Sequence, residues 1–296
     1  MKKKLMLIIN PAAGRGAYKL NLPDALQLLD QGGYRTTLFF TAGRGDATVL
    51  AAEHGAGYDT VACIGGDGTL SEVLAGLMRL DNPPPVGYFP MGTTNDVATT
   101  LDLPKNDTIG AARRILSGTP HPFDVGGFGD DSYFAYIAAF GAFTEVSYAT
   151  PQTQKKARGH LAYVLQGMAQ LPKIEAVRAR VEYDGGAVEG RFLYGSMSNS
   201  TSVAGILRLK EDMVSLGDGQ SELVLVREPQ TIDGFGAILT SALTQSFDCP
   251  DLLILHTTKA RFRFDKPVGW TRDGEDGGAH TELELRNCHA PVELIF

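Results

Sequence analysis

Three stretches of this chain mix glycine, hydroxyl and carboxylate residues in ways that suit phosphate chemistry. The densest is Gly65-Gly66-Asp67-Gly68-Thr69-Leu70-Ser71-Glu72. Glycines let a backbone approach a ligand closely, and the N–H groups at a helix start favour phosphate. Asp67 would repel that phosphate unless Mg2+ or another cation stood between them. A carboxylate in such a loop therefore points to metal-assisted nucleotide binding. Thr69 and Glu72 have capping-box spacing, an independent reason for a helix to begin there. A glycine-rich strand-to-helix turn capped by Thr and Asp would carry the same residues with no ligand at all. The second stretch, Pro90-Met91-Gly92-Thr93-Thr94-Asn95-Asp96-Val97-Ala98, crowds hydroxyls, an amide and a carboxylate into one turn, although Thr and Asp are also ordinary helix caps. The third, Asn10-Pro11-Ala12-Ala13-Gly14-Arg15-Gly16, is a small-residue loop able to cradle a nucleotide. Three more acids sit among glycines, in Gly217-Asp218-Gly219 and Asp273-Gly274-Glu275. Taken alone, the last of these reads as an acidic hairpin turn on the surface.

The elements that must position these loops follow from hydrophobic spacing. Residues 1 to about 120 alternate short apolar runs with helical patterns: strands at Leu5–Ile9, Thr37–Thr41, Thr60–Ile64 and Pro85–Phe89, and helices at 22–31, 46–54, 70–80 and 108–117. Near-continuous apolar strands between helices imply a mainly parallel sheet covered on both faces. Ligand sites in such sheets lie at the carboxyl ends of the strands, where Asn10–Gly16, Thr41, Gly65–Thr69 and Pro90–Asp96 all fall. Beyond about residue 125 the pattern becomes strand after strand: 133–140, 176–183, 187–197, 222–226, 252–256, 260–264, 281–285 and 292–296. Two helical patterns remain, near 156–171 and 231–243. The expectation is an α/β nucleotide-binding domain over 1–124 and an antiparallel β-sandwich or flattened barrel over 125–296.

Composition narrows the function. A net charge of −7 argues against a nucleic-acid binder. Contact with an anionic bilayer would need local basic groups such as Lys2-Lys3-Lys4 or Lys155, Lys156 and Arg158, each of which also reads as solvated surface. Cys63, Cys249 and Cys288 have no metal-ligand spacing and read as free thiols of a reducing cytosol. No apolar run reaches the ~20 residues needed to span a bilayer. The histidines show no metal or triad spacing.

Taken together, Asn10-Pro11-x-x-Gly14, Gly65-Gly66-Asp67-Gly68-Thr69, Gly92-Thr93-Thr94-Asn95-Asp96, Gly217-Asp218-Gly219 and Asp273-Gly274-Glu275 resemble the diacylglycerol kinase catalytic-domain family, in its soluble bacterial branch. The resemblance spans almost the whole chain, and the combination is far more specific than any piece. It implies ATP on Asn10, Pro11, Ala12, Ala13, Gly14, Thr41, Gly66, Asp67, Gly68, Thr69, Leu70, Ser71, Glu72 and Thr93. It implies a carboxylate network of Asp67, Asp96 and Asp124 near a catalytic Mg2+. A second, structural Mg2+ would be bound by the Asp218 carboxylate and the backbone oxygens of Ser215 and Gln220. Glu275 would be the general base that deprotonates a lipid hydroxyl, a role open to a carboxylate within hydrogen-bond reach. Partners implied are ATP and a lipid met at the membrane surface, with a cytoplasmic location, peripheral membrane association and room for a homodimer. Arg15 stands where several relatives have lysine, and Gln166 where a relative can carry another. Competing readings are an NAD-kinase-like enzyme using Asp67 as its essential acid, and a nucleotide-binding regulator without turnover.

Overall fold

The computed structural model describes residues 1–92, 95–141, 175–199, 202–203, 207–208, 216–244 and 249–296. Thr93, Lys155, Lys156, Arg158, Gln166, Ser215 and the helix expected near 156–171 lie outside the described residues. The chain divides into two compact units, one of Met1–Val125, Leu216–Asp218 and Cys288–Phe296, the other of Gly126–Ser215 and Gly219–Asn287. The expected second domain, 125–296, included the last nine residues. They group with the first unit because Leu294 pairs with Val86 in a parallel ladder.

In the first unit, β1 (Lys3–Ile9) lies between β2 (Tyr34–Phe40) and β3 (Thr60–Gly65), and β4 (Val86–Pro90) pairs with β3. All three ladders are parallel. Leu5 to Ile9 are fully buried, as a strand covered on both faces requires. Helices α1 (Leu22–Gln31), α2 (Asp46–His54), α3 (Asp67–Leu77), α4 (Asp96–Thr100) and α5 (Thr108–Ser117) complete the unit. Proline near the start of α1 suits a position whose N–H has no helical partner. Asp107 caps α5 through the Gly110 N–H at 2.9 Å. Leu5, Leu7, Ile9, Ala25, Leu29 and Ile115 belong to one apolar core. On α2, Ala47 and Ala51 are buried one turn apart, and Gly76 of α3 sits so close that a Cβ there would lie 2.4 Å from the Thr48 carbonyl oxygen. Helix α3 begins three residues before the sequence reading placed it.

The second unit holds an antiparallel sheet. Its strands include β6 (Ser132–Phe134), β7 (Ile137–Gly141), β8 (Val177–Tyr183), β9 (Gly186–Ser198), β12 (Ser221–Arg227), β13 (Leu252–Thr257) and β14 (Lys259–Arg272). A long β15 (Glu275–Ile295) starts here, and β5 (Pro120–Phe128) ends here. The short pair β10 (Ser202–Val203) and β11 (Leu207–Arg208) and helix α6 (Ile232–Thr244) complete its described elements. The registers show that β7 and β8 share one strand position between β9 and β14. Gly141 faces Tyr194 and Val177 faces Phe192 on β9, while Phe140 faces Trp270 and Ala179 faces Phe264 on β14. Strand β7 ends at Gly141, whose φ of 85° is accessible to glycine, and β8 begins at Val177. Phe140, Phe262 and Trp270 pack with ring centroids 5.0 to 5.9 Å apart in the core of this unit. Trp270 is a core residue.

Three strand expectations need correction. Residues 133–140 are two strands, broken where backbone N–H groups turn to a side chain instead of a neighbouring strand. Residues 281–285 and 292–296 belong to one long strand. Strand β5 had no expectation, since Pro120, Pro122 and two glycines mask its pattern.

Candidate active site

The first unit brings the three phosphate-suited loops together at the carboxyl ends of β1, β3 and β4. Asn10 N–H donates to the Ile64 carbonyl at 3.0 Å, and Met91 N–H to the Gly65 carbonyl at 2.7 Å, which extends the ladders into the loops. The Asn10 side chain then bridges two loops: its amide donates to Thr69 Oγ1 at 3.1 Å while its oxygen accepts the Ala12 N–H at 3.0 Å. Two glycines are fixed by this contact geometry. A Cβ on Gly92 would stand 2.5 Å from Gly66 Cα, and one on Gly14 would stand 2.8 Å from the Met91 carbonyl oxygen. Gly14, Arg15 and Gly16 follow one another in left-handed conformation, with φ of 55°, 56° and 80°. Arg15 holds that conformation with a side chain, at a cost of about 1–3 kcal/mol.

Asp67 lies at the junction. Its Oδ2 accepts the Asp96 N–H at 3.0 Å and its Oδ1 the Val97 N–H at 3.2 Å. A carboxylate therefore sits on the first N–H groups of α4, where both hydrogen bonding and the helix dipole favour negative charge. Asn95, with φ of 52°, sits at the bend, and its side-chain oxygen accepts the Gly92 N–H at 2.9 Å. Burial, and secondarily the Asp67 carboxylate, push the Cys63 thiol well above its ordinary pKa.

The capping box expected between Thr69 and Glu72 does not form. Gly66 is the N-cap of α3 and no side chain caps it. Glu72 instead reaches the start of α2, accepting the Gly45 N–H at 2.9 Å and the Ala47 N–H at 3.3 Å. Asp46 is the first residue of that helix, and its Oδ2 takes the Ala42 and Gly43 N–H groups at 2.6 and 2.9 Å. These two carboxylates shape the loop after Thr41.

Asp124 is fully buried and makes contacts within the same unit. Oδ1 accepts the Ala290 N–H at 2.6 Å and lies 3.2 Å from His289 Nδ1. The Asp124 N–H donates to the Leu216 carbonyl at 2.7 Å, which anchors the turn ahead of Asp218. Gly217 is tight against Pro122, leaving 2.8 Å to its carbonyl oxygen for any Cβ. Sequence reasoning gave His289 no chemistry, and a partner 165 residues distant leaves no local signal.

In the second unit, Asp273 and Gly274, with φ of 48° and 81°, form the two-residue turn between β14 and β15, with Arg272 facing Glu275 across it. This is the primed turn that an Asp-Gly pair favours. Glu275 is exposed, whereas Asp273 is buried. The Asp273 carboxylate accepts the Ala135, Tyr136 and Ile137 N–H groups at 2.6, 3.0 and 3.1 Å, filling the gap between β6 and β7. Beside the hairpin lies a cavity of about 530 Å3 with Arg272, Asp276 and His280 among its walls, and the Arg272 guanidinium sits 5.7 Å from the centre of the Phe128 ring. The Gln220 carbonyl accepts the Asn287 side-chain amide at 3.0 Å. Among the described residues no group of three or more His, Cys, Asp or Glu could by itself hold a metal ion, and no helix is long and apolar enough to cross a membrane.

Comparison with known proteins places this geometry. Residues 4–128 match the family model described as the diacylglycerol kinase catalytic domain. A diacylglycerol kinase of Bacillus subtilis (strain 168) is 34% identical over 296 residues, covering 99% of this chain and 96% of its own. One from Staphylococcus aureus (strain JH9) is 39% identical over 244 residues, 82% of this chain and 76% of its own. A crystal structure of a diacylglycerol kinase from Bacillus anthracis str. Sterne shares the fold, with a TM-score of 0.76 at 21% identity over 99% of this chain and 97% of that one. The match at 34% identity runs almost end to end, and on it the chain belongs to the diacylglycerol kinase catalytic-domain family.

Proposed function

We propose that this protein transfers the γ-phosphate of ATP to the hydroxyl of diacylglycerol or a related lipid alcohol. Family membership makes it a lipid kinase. The acceptor and the part played by each residue are our reading. One observation carries it: three glycine-rich loops interlock at the carboxyl ends of parallel strands, with the Asp67 carboxylate at their junction. A bare capping role would not call for backbones packed to the limit at Gly14 and Gly92, where any side chain would collide with the neighbouring loop.

In this reading the first unit is the ATP-binding domain and the second receives the lipid. The nucleotide rests on Asn10–Gly14, Thr41, Gly66–Glu72 and Thr93. Its Mg2+ would be held by Asp67, Asp96 and Asp124. The fit is chemical: all three side chains offer carboxylate oxygens. Oxygen donors alone suit this hard cation. Held there, Mg2+ would supply neutralisation of the charge on the transferring phosphate. A structural Mg2+ would use the Asp218 carboxylate with the Ser215 and Gln220 carbonyls. Glu275, exposed at the mouth of its turn, takes the proton of the lipid hydroxyl. Asp273 positions that turn and does not act on substrate, because its oxygens serve three N–H groups. The engagement of both Asp67 oxygens favours positioning over proton abstraction, and so favours this reading over an NAD-kinase-like one.

The test is phosphorylation by purified protein with Mg-ATP, lipid alcohols and NAD, run beside Glu275→Gln. A labelled lipid that falls at least about 100-fold in the variant supports the reading. Full activity in the variant moves the base to Asp67. Label on NAD and on no lipid overturns the proposal.

A further inference from the structure

The cavity of about 530 Å3 beside the β14–β15 turn is built wholly from the second unit and carries polar groups that the unit does not engage. A bulge shapes one wall. Trp270 faces Gly278 and Thr271 faces Asp276, which leaves Gly277 of β15 unmatched. Bulges re-aim side chains, and this one accompanies Asp276 onto the cavity wall. A Cβ on Gly277 would stand 3.1 Å from both the Phe128 ring and the Trp270 carbonyl oxygen, so glycine lets that ring close on the bulge. The Trp270 and His280 rings pack at 80° and 75° to Phe128 and fix its plane. The facing wall is the turn between β5 and β6. Arg286 ties it to β15 by donating to the Gly129 and Asp130 carbonyls, and the Gly129 N–H donates to the Glu284 carbonyl at 2.9 Å. The cavity is therefore preformed, and its size is that of a small-ligand site.

Its walls interleave donors and acceptors. The Arg272 guanidinium lies 5.7 Å from the centre of the Phe128 ring and makes no ion pair or hydrogen bond among the described residues, which leaves its five donors to a ligand or water. His280 Nε2 sits 2.9 Å from the Gly277 carbonyl, which can only accept, so the neutral ring offers Nδ1 as an acceptor. Asp276 gives Oδ1 to the Gly278 N–H at 2.9 Å and keeps Oδ2. Glu282 and Glu284 are taken by Arg261 and Arg263. What remains on the walls is Asp130, Asp131 and Asp276 against the one Arg272 guanidinium, an excess of negative charge that disfavours a phosphate-bearing group. A cationic group would find the guanidinium already on the aromatic face it needs. We propose that this cavity binds an uncharged polyol, the sugar-like headgroup of an acceptor lipid. Only the placing of that headgroup on a lipid rests on the kinase reading above. Arg272 faces Glu275 across the turn, so a headgroup held by Arg272 brings its hydroxyls beside the proposed base. In the transfer the hydroxyl oxygen bonds to the γ-phosphorus as the bond to the β–γ bridging oxygen breaks, Glu275 takes the proton and ADP leaves. Diacylglycerol, with one hydroxyl, would leave Arg272, His280 and Asp276 to water.

Two measurements on the full chain test this, with Arg272→Met and Asp276→Asn as variants. The first keeps the side-chain stem on Phe128, and the second keeps Oδ1 while exchanging the free acceptor for a donor. Circular dichroism and Tm confirm that each folds. Saturation-transfer NMR with methyl β-glucoside up to about 50 mM reads millimolar dissociation constants without turnover. Phosphorylation of monoglucosyl-diacylglycerol beside diacylglycerol in mixed micelles reads acceptor choice. The glycoside should bind the wild type and bind each variant at least about 10-fold more weakly, and the variants should lower the glycolipid-to-diacylglycerol ratio of kcat/KM by a similar factor. A glycoside that does not bind, or that binds both variants as well as the wild type, overturns the proposal. So does an Arg272-dependent preference for phosphatidylglycerol over the glycolipid, which would make this an anion site. Glycoside binding lost in the variants, with diacylglycerol but no glycolipid phosphorylated, supports the polyol site and assigns it to a free sugar. The same binding with no lipid phosphorylated at all overturns the kinase reading and leaves the site standing.

Discussion

Asp67 holds Asp96 through the backbone: the Oδ2 of one accepts the N–H of the other at 3.0 Å. The glycine loop after β3 and the turn after β4 are therefore one object, and a change at Asp67 has both a structural and a chemical consequence. Asp67→Asn keeps one acceptor oxygen and should lose about 1 kcal/mol of stability, in the range of a helix cap. If the carboxylate also binds cation and phosphate, phosphoryl transfer should drop at least about 100-fold. Urea denaturation beside a kinase assay separates the two. A rate that falls only as far as folded protein is lost would leave Asp67 a cap.

The two acids of the β14–β15 turn should behave oppositely. Glu275→Gln touches an exposed group and should leave stability within about 0.5 kcal/mol while the rate falls about 10²- to 10⁴-fold. Asp273→Ala strips the acceptor from three N–H groups, each costing about 1–3 kcal/mol when left buried and unpaired. Its loss of stability should be about 3 kcal/mol or more. Similar stabilities for the two variants would contradict the assigned roles.

At Gly92 a methyl group has nowhere to go: Gly66 Cα and Asn95 Oδ1 stand 2.5 and 2.6 Å from where it would sit. Gly92→Ala should push the two loops apart and weaken ATP binding by at least about 10-fold in calorimetry, with overpacking costing about 1–3 kcal/mol. Unchanged ATP affinity would mean that nucleotide does not use this junction.

Acid sensitivity should include the Asp184 hairpin. The Thr258 N–H, at 2.6 Å from Oδ2, holds the Asp184 carboxyl below the ordinary carboxylate range. A depressed folded pKa contributes stability fully above the unfolded value of about 3.9, and that contribution disappears as pH falls through the lower folded value. The difference in Tm between wild type and Asp184→Asn should therefore shrink as pH drops below about 4. A difference that stays constant with pH would assign it to something other than the charge.

Much of the first unit was readable because its signals are local. Helices at 22–31, 46–54 and 108–117 fall where apolar spacing put them, and the loops holding Asn10, Gly66 and Gly92 follow strands that the apolar runs marked. Strand β5 hid behind its prolines and glycines. The β6–β7 break could not be seen, since it depends on a carboxylate more than 130 residues away.

What the sequence determined by itself was which residues could do chemistry and which family they belong to, because residue type and spacing along the chain suffice for both. Tertiary structure decided what each acid does. Glu72, read as a capping residue of its own helix, serves the start of α2; Asp273, read as part of an acidic surface turn, became the anchor of β6 and β7; and Asp124 found His289 and Ala290. A carboxylate's role depends on which N–H groups and charges surround it, and those neighbours come from distant parts of the chain that only folding brings within 3 Å.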